Sequence, residues 1–206
     1  MERVSRTSLI EKTIVFVSVI LFSWCAVGWA DSPKVVLTGE EESTSSKAPR
    51  AVLKTKFGEM EIVFFPELAP KHVESFVKLA KSGFFNGTIF HRVIPGFMIQ
   101  GGDPNTKDPS KVRSYGTGGP GYTLPAEFSK VAHEKGILSA ARTADPNSAG
   151  SQFFIMADKA THLDGQYTIF GEVVKGRDII DKIVSQPRDP RDNPLERIEM
   201  TVEVVE

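Results

Sequence analysis

The sequence predicts a mainly β domain, a closed antiparallel barrel or a sandwich, with two short helices. Three observations carry this. After residue 50 the apolar residues fall into short β-branched and aromatic runs separated by Gly and Pro. Only two segments show helical spacing. All phenylalanines except Phe16 and Phe22 lie in this part, a large apolar payload for one core.

In chain order, Val52–Phe57 and Met60–Phe65 flank Gly58-Glu59 and read as a hairpin. Pro70–Ser82 places Val73, Phe76, Val77 and Ala80 on one helical stripe, with Pro70 in the first turn and Gly83 just past the end. Further strands are expected at Ile89–Val93, Phe97–Gly101, Gly136–Ala141, Gln152–Ala157, Thr168–Val174 and Ile198–Val205. Between the last two, Arg177–Ser185 carries a second stripe of Ile179, Ile180, Ile183 and Val184. The two helices are placed to plug the open ends of a barrel.

Residues 1–30 have another character. Arg3, Arg6 and Lys12 precede an uncharged apolar run that ends in small residues, the pattern of a secretory signal peptide cut between Ala30 and Asp31. The run also has the length of an uncleaved membrane anchor, and a lipid on Cys25 is a third reading. Residues 31–50, with Glu40-Glu41-Glu42 and few large apolar side chains, read as a flexible linker. The domain at 51–206 is therefore expected outside the cytoplasm, periplasmic or secreted, or else tethered there through residues 1–30.

The chain has 206 residues, 25 Lys+Arg against 26 Asp+Glu, and a formal charge of −1. That balance argues against a protein built to neutralise phosphates, and no nucleic-acid partner is expected. One cysteine excludes an intramolecular disulfide. Gly116-Thr-Gly118-Gly119-Pro-Gly121 contains a G-x-G-x-x-G string, but Pro120 and Pro125 leave no helix to receive a pyrophosphate. Asp103–Ser114 fails the calcium-loop pattern, and His72, His91, His133 and His162 lack metal-ligand spacing. Asn86-Gly87-Thr88 is a glycosylation sequon, relevant only in a eukaryotic secretory pathway. No metal or cofactor is expected.

One constellation remains. Phe90-His-Arg92-Val-Ile-Pro-Gly-Phe97-Met98-Ile-Gln100-Gly-Gly-Asp103 sets a cation and an amide among large apolar groups. In a regular strand Met98 and Gln100 would face away from Phe97 and Ile99, so a shared site needs a bend, which Gly96, Gly101 and Gly102 permit. On spacing alone, a barrel strand with a surface arginine and core aromatics explains the segment as well. The segment closely resembles the signature of the cyclophilins, peptidyl-prolyl cis-trans isomerases. Matching blocks are Gly136-Ile-Leu-Ser-Ala-Ala-Arg-Thr-Ala-Asp-Pro-Asn-Ser-Ala-Gly-Ser-Gln152-Phe-Phe-Ile-Met156 and His162-Leu-Asp-Gly-Gln-Tyr-Thr-Ile-Phe-Gly171-Glu-Val-Val-Lys-Gly176.

The resemblance covers essentially all of residues 51–206. It implies a closed eight-stranded antiparallel barrel capped by two helices, an enzyme acting on proline-containing polypeptides as a monomer, and Arg92 as the catalytic group. It implies Phe97, Met98, Phe154 and Leu163 as the walls of a proline pocket, with His91 also lining the site. Gln100 and Gln152 hold the substrate backbone in this reading. Gly116, Ala141, Thr143 and Ala144 form the groove for flanking residues. His162 stands where cyclosporin-sensitive relatives usually have Trp, and Tyr167 where many have His, which implies weak cyclosporin binding. The segment 141–144 is one residue longer than in common eukaryotic members and resembles bacterial ones. A module that holds proline segments without turnover is the competing expectation; the retained arginine favours the enzyme.

Overall fold

A computed structural model describes residues 48–205; the expectations for residues 1–30, and for the linker up to residue 47, lie outside the described residues. Strand β1 (Arg50–Thr55) and strand β2 (Gly58–Phe64) form the first hairpin, so Arg50 belongs to the sheet rather than to a linker. Its turn is Lys56-Phe57, not Gly58-Glu59. Thr55 Oγ1 accepts from the Phe57 N–H at 3.1 Å and donates to the Gly58 carbonyl at 3.2 Å. This register sets Leu53 opposite Met60, both fully buried. A one-residue slip would turn either strand's apolar set outward, so burial fixes the turn.

Helix α1 (Pro70–Lys81) and helix α2 (Arg177–Val184) match the two stripes closely. Between and after them run β3 (Thr88–Ile89), β4 (Arg92–Ile94), β5 (Met98–Gly101), β6 (Ile137–Ala140), β7 (Phe153–Met156), β8 (Ile169–Lys175) and β9 (Glu199–Val205). All pair antiparallel in one curled nine-stranded sheet, in the order β3-β9-β1-β2-β8-β6-β7-β5-β4.

The expected closed barrel of eight strands is corrected to a curled sheet of nine whose end strands, β3 and β4, do not pair with each other. The cause is that the single strand foreseen at Ile89–Val93 is divided at Phe90-His91. Its first part pairs with β9 and its second with β5, so the two ends of the strand order are consecutive in the chain. At the division the Phe90 N–H donates to the Ile198 carbonyl at 3.1 Å and the His91 N–H to the Gln100 carbonyl at 3.0 Å. No backbone donor is stranded there.

The sheet has two apolar faces. On the inner face both helices bury their stripes in one cluster with Leu53, Met60, Ile62, Ile99, Phe153 and Ile155. Phe76 of α1 sits at its centre, with ring centroids 4.6 Å from Phe85, 5.3 Å from Phe64, 5.4 Å from Phe153 and 5.5 Å from Phe170. Contacts of this kind add to the burial of each ring. On the outer face Met98, Ile137, Phe154, Met156, Leu163 and Ile169 form a second cluster, covered by loops. The period-two alternation of β5 and β7 produces both: Ile99, Phe153 and Ile155 go in, Met98, Phe154 and Met156 go out. Among the described residues no helix is long and apolar enough to cross a membrane, and no cluster of three His, Cys, Asp or Glu could hold a metal.

Candidate active site

Two clefts open on the outer face. The first, about 330 Å³, is walled by Phe97, Met98, Phe154 and Leu163, with Arg92, Gln100, Ala141, Arg142, His162 and Tyr167 around them. The second, about 390 Å³, shares Gln100, Ala141 and Arg142 with it and continues along Gly116–Pro120, Thr143, Ser148 and Gln152.

The first cleft depends on a break in strand periodicity. Phe97 N–H donates to the Ile94 carbonyl at 3.0 Å, closing a turn through Gly96, whose φ of +71° favours glycine. Phe97 therefore belongs to the turn before β5 and is free of its alternation. It joins Met98 and Gln100 on one side, and its ring stacks on His162 at 5.7 Å. Arg92 lies opposite Gln100 in the β4–β5 ladder. A polar chain starts there: Arg92 Nη1 is 3.5 Å from Gln100 Oε1, Gln100 Nε2 donates to Gln152 Oε1 at 3.1 Å, and Gln152 Nε2 donates to the Gly118 carbonyl at 2.8 Å.

The loop beyond Gly118 is held from below. Asp103, fully buried, accepts from Gly116 N–H at 2.6 Å and Gly118 N–H at 3.3 Å with one oxygen, and from Asn105 N–H at 2.7 Å with the other. A Cβ on residue 118 would collide with the Asp103 carboxylate, so glycine there follows from the close approach. Farther on, Glu127 accepts from the Lys71 and His72 N–H groups at the start of α1, each at 3.1 Å, and faces His72 Nδ1 at 2.6 Å. Partial burial would raise the Glu127 carboxyl, but these three donors outweigh it and hold its pKa below the usual value.

Phe154 is braced from behind. The His133 ring stacks on it at 6.2 Å; His133 Nδ1 lies 2.9 Å from Asp164 Oδ1, and Nε2 lies 3.0 Å from Ser139 Oγ. First the His133 backbone N–H and then its ring keep the Asp164 carboxyl low. The order Ser-His-Asp resembles a nucleophile triad, but His133 and Ser139 are fully buried and Ser139 lines neither cleft. Its work is to tie the Leu163 loop to the pocket wall.

Most expected site residues thus converge: Arg92, Phe97, Met98, Gln100, Ala141, Phe154, His162, Leu163 and Tyr167 on the first cleft, Gly116, Thr143 and Gln152 on the second. Two do not reach a wall. Ala144 is exposed beside the second cleft without lining it. His91 is buried beneath Gly116, and neither ring nitrogen has a partner among the described residues. Burial is the main cause that pushes its pKa down to about 4, against the opposing pull of Asp103.

Arg142 was not among the expected site residues, although it lines both clefts. The available signal was the extra residue in 141–144. Glu127 acts through contacts distant in sequence and gives no local signal, and the bonds of Asp103 to the Gly116 and Gly118 N–H groups are likewise not local.

A family model described as cyclophilin type peptidyl-prolyl cis-trans isomerase/CLD matches residues 50–204. A probable peptidyl-prolyl cis-trans isomerase of Brucella abortus (strain 2308) is 47% identical over 151 residues, which cover 70% of this chain and 77% of the relative. Peptidyl-prolyl cis-trans isomerase B of Streptomyces anulatus is 42% identical over 175 residues, covering 76% and 95%. Among solved structures, a cyclophilin type peptidyl-prolyl cis-trans isomerase of Cryptosporidium parvum, crystallised in the presence of the dipeptide Ala-Pro, superposes with a TM-score of 0.69 at 31% identity. It covers 76% of this chain and 99% of that one.

Proposed function

The chain belongs to the cyclophilin-type peptidyl-prolyl cis-trans isomerases, an enzyme family, and on that premise we propose that it turns X–Pro bonds in the first cleft with Arg92 as the catalytic group. The observation that carries the proposal is the Arg92 guanidinium on the same cleft as the apolar wall of Phe97, Met98, Phe154 and Leu163. The other guanidinium there, that of Arg142, is already engaged by the Gln166, Thr143 and Ala144 carbonyls.

Amide resonance opposes rotation by about 18–20 kcal/mol. For X–Pro bonds cis and trans differ by only about 0.5–1 kcal/mol, so rate is the problem and equilibrium is not. No nucleophile or redox step is required; the site must bind the twisted amide better than either planar form. Twisting localises the lone pair on the prolyl nitrogen, and Arg92 donates to that nitrogen or to the adjacent carbonyl. Arginine stays cationic at any working pH. The apolar wall fixes the ring while the rest of the segment rotates, and it excludes water that would weaken the donor's field. Gln100 and Gln152 present amide groups to the substrate backbone.

The charged start and apolar run of residues 1–30 support an exported protein that works on other exported chains whose folding waits on proline. Mass analysis of the N-terminus from a fractionated cell tests this. A product starting at Asp31 outside the cytoplasm supports it; an intact cytoplasmic chain removes it. Exchange NMR of an Ala-Pro peptide with the full chain tests the activity. Faster cis-trans exchange is expected, and an unchanged rate would sink the proposal.

A further inference from the structure

Arg142 stands where the two clefts meet and lines both. Its guanidinium carbon lies 4.5 Å from the centroid of the Tyr167 ring. Nε and Nη2 donate to the Gln166 carbonyl at 3.2 and 3.0 Å; Nη1 donates to the Thr143 carbonyl at 2.8 Å and the Ala144 carbonyl at 3.4 Å. Held by three carbonyls and a ring face, the planar fork keeps one orientation.

All those acceptors are neutral, so the positive charge is not offset. Asp145, three residues along, turns Oδ1 to the Asn147 N–H at 2.9 Å instead. Among the described residues neither Arg142 nor Arg92 forms an ion pair, and no Asp or Glu lines either cleft. Many cations elsewhere are partnered, as Arg50 is with Glu61, Arg177 with Glu172 and Lys135 with Asp181. In a chain of formal charge −1, the surplus at the clefts is local.

We propose that Arg142 is a specificity residue that favours proline segments carrying a carboxylate side chain close to the proline. The inference rests on the isomerase reading of the first cleft. A segment with its proline against Phe97 and Phe154 passes Arg142 on its way into the second cleft. A Glu or Asp side chain there meets an oriented guanidinium that the protein leaves uncompensated. The contact lies away from the rotating bond and serves ground and transition states alike, so the preference belongs in KM rather than kcat.

The test uses the full chain and peptides built on one Ala-Pro core, with Glu, Gln or Lys at each of the two positions either side, followed by exchange NMR. At one of those positions Glu should exceed Gln in kcat/KM by roughly three- to tenfold at low salt. Lys should fall below Gln, and the spread should narrow as salt is added. In Arg142→Gln the Glu/Gln ratio should drop to near one, while Arg142→Lys keeps part of it. Because each ratio is taken within one preparation, partial misfolding cancels. A ratio near one in the wild type, with the neutral peptide still isomerised, overturns the inference and leaves the isomerase reading standing. A ratio that survives in Arg142→Gln overturns it as well. No isomerisation of any peptide removes the isomerase reading, and the inference with it.

Discussion

Phe153 and Phe154 are neighbours on β7, alike in chemistry and both nearly inaccessible, at 1% and 5% exposure. Phe153 points inward, where Phe76, Phe85 and Phe90 enclose it with centroids 5.4, 5.8 and 6.3 Å away. Phe154 points outward to Tyr167, 5.6 Å away and edge-on, and forms a wall of the first cleft. The difference lies in what covers each face. Helices seal the inner one; loops cross the outer one and leave a gap. One residue along a strand is thus the distance between the sealed core and the proposed site, and substitution tests whether the two roles separate.

The largest effect that sharpens this contrast is on stability. Phe153→Ala should cost about 3–5 kcal/mol in urea unfolding, because the sealed face cannot collapse around the lost ring. Phe154→Ala should cost less and lower the isomerase rate. Equal unfolding costs would break the comparison.

Next in size, Arg92→Ala should raise the rotation barrier by about 2.7–4 kcal/mol, by analogy with loss of one preorganised donor. Its urea midpoint should stay near wild type, since among the described residues the half-buried guanidinium has a single 3.5 Å hydrogen-bond contact, with Gln100. A near wild-type exchange rate would remove Arg92 from the mechanism.

His91 lies between the two faces and gives a pH signature. Its folded pKa of about 4 is below the ordinary 6.5, so in that window the unfolded chain binds the extra proton. Stability is full above pH 6.5 and falls toward pH 4, by about 3 kcal/mol at 1.36 kcal/mol per unit. In His91→Leu that part of the slope should vanish from urea midpoints measured across the window; an unchanged slope would assign it to other groups.

The smallest effect concerns the tether of the cleft loop to α1. Glu127→Gln should lower stability at pH 7 by about 1 kcal/mol through weaker charge-assisted bonds at a helix N-terminus. The wild-type carboxylate has a depressed pKa, so its contribution is present above the ordinary value of 4.5 and is lost as pH falls through the folded pKa. The two melting curves should converge at acid pH, and a gap that persists there would refute the electrostatic account.

Much of the fold is legible in the chain. Both helices follow from their stripes and from Pro70 and Gly83, because those signals are local. The first turn was misplaced because Gly58-Glu59 looks like a hairpin loop, whereas the register obeys the burial of Leu53 against Met60. The split at Phe90-His91 depends on which strand pairs with each half, and β9 lies more than a hundred residues away. At the site, Phe97, Met98, Gln100 and Phe154 are expected because they stand within long matching blocks, and the structure places them on one cleft. Arg142 is not among the expected residues because its place where two clefts meet is a fact of tertiary arrangement.

That β3 and β4 are consecutive yet lie at opposite ends of the strand order has a consequence for the nascent protein. Strand β3 has no strand beside it until β9, the last strand of the described residues, has been laid against β3 and β1. A ribosome-bound copy still lacking that strand leaves β3 and one margin of β1 without their partner. The sheet is therefore completed only late in synthesis, when the final described strand closes the gap between β3 and β1.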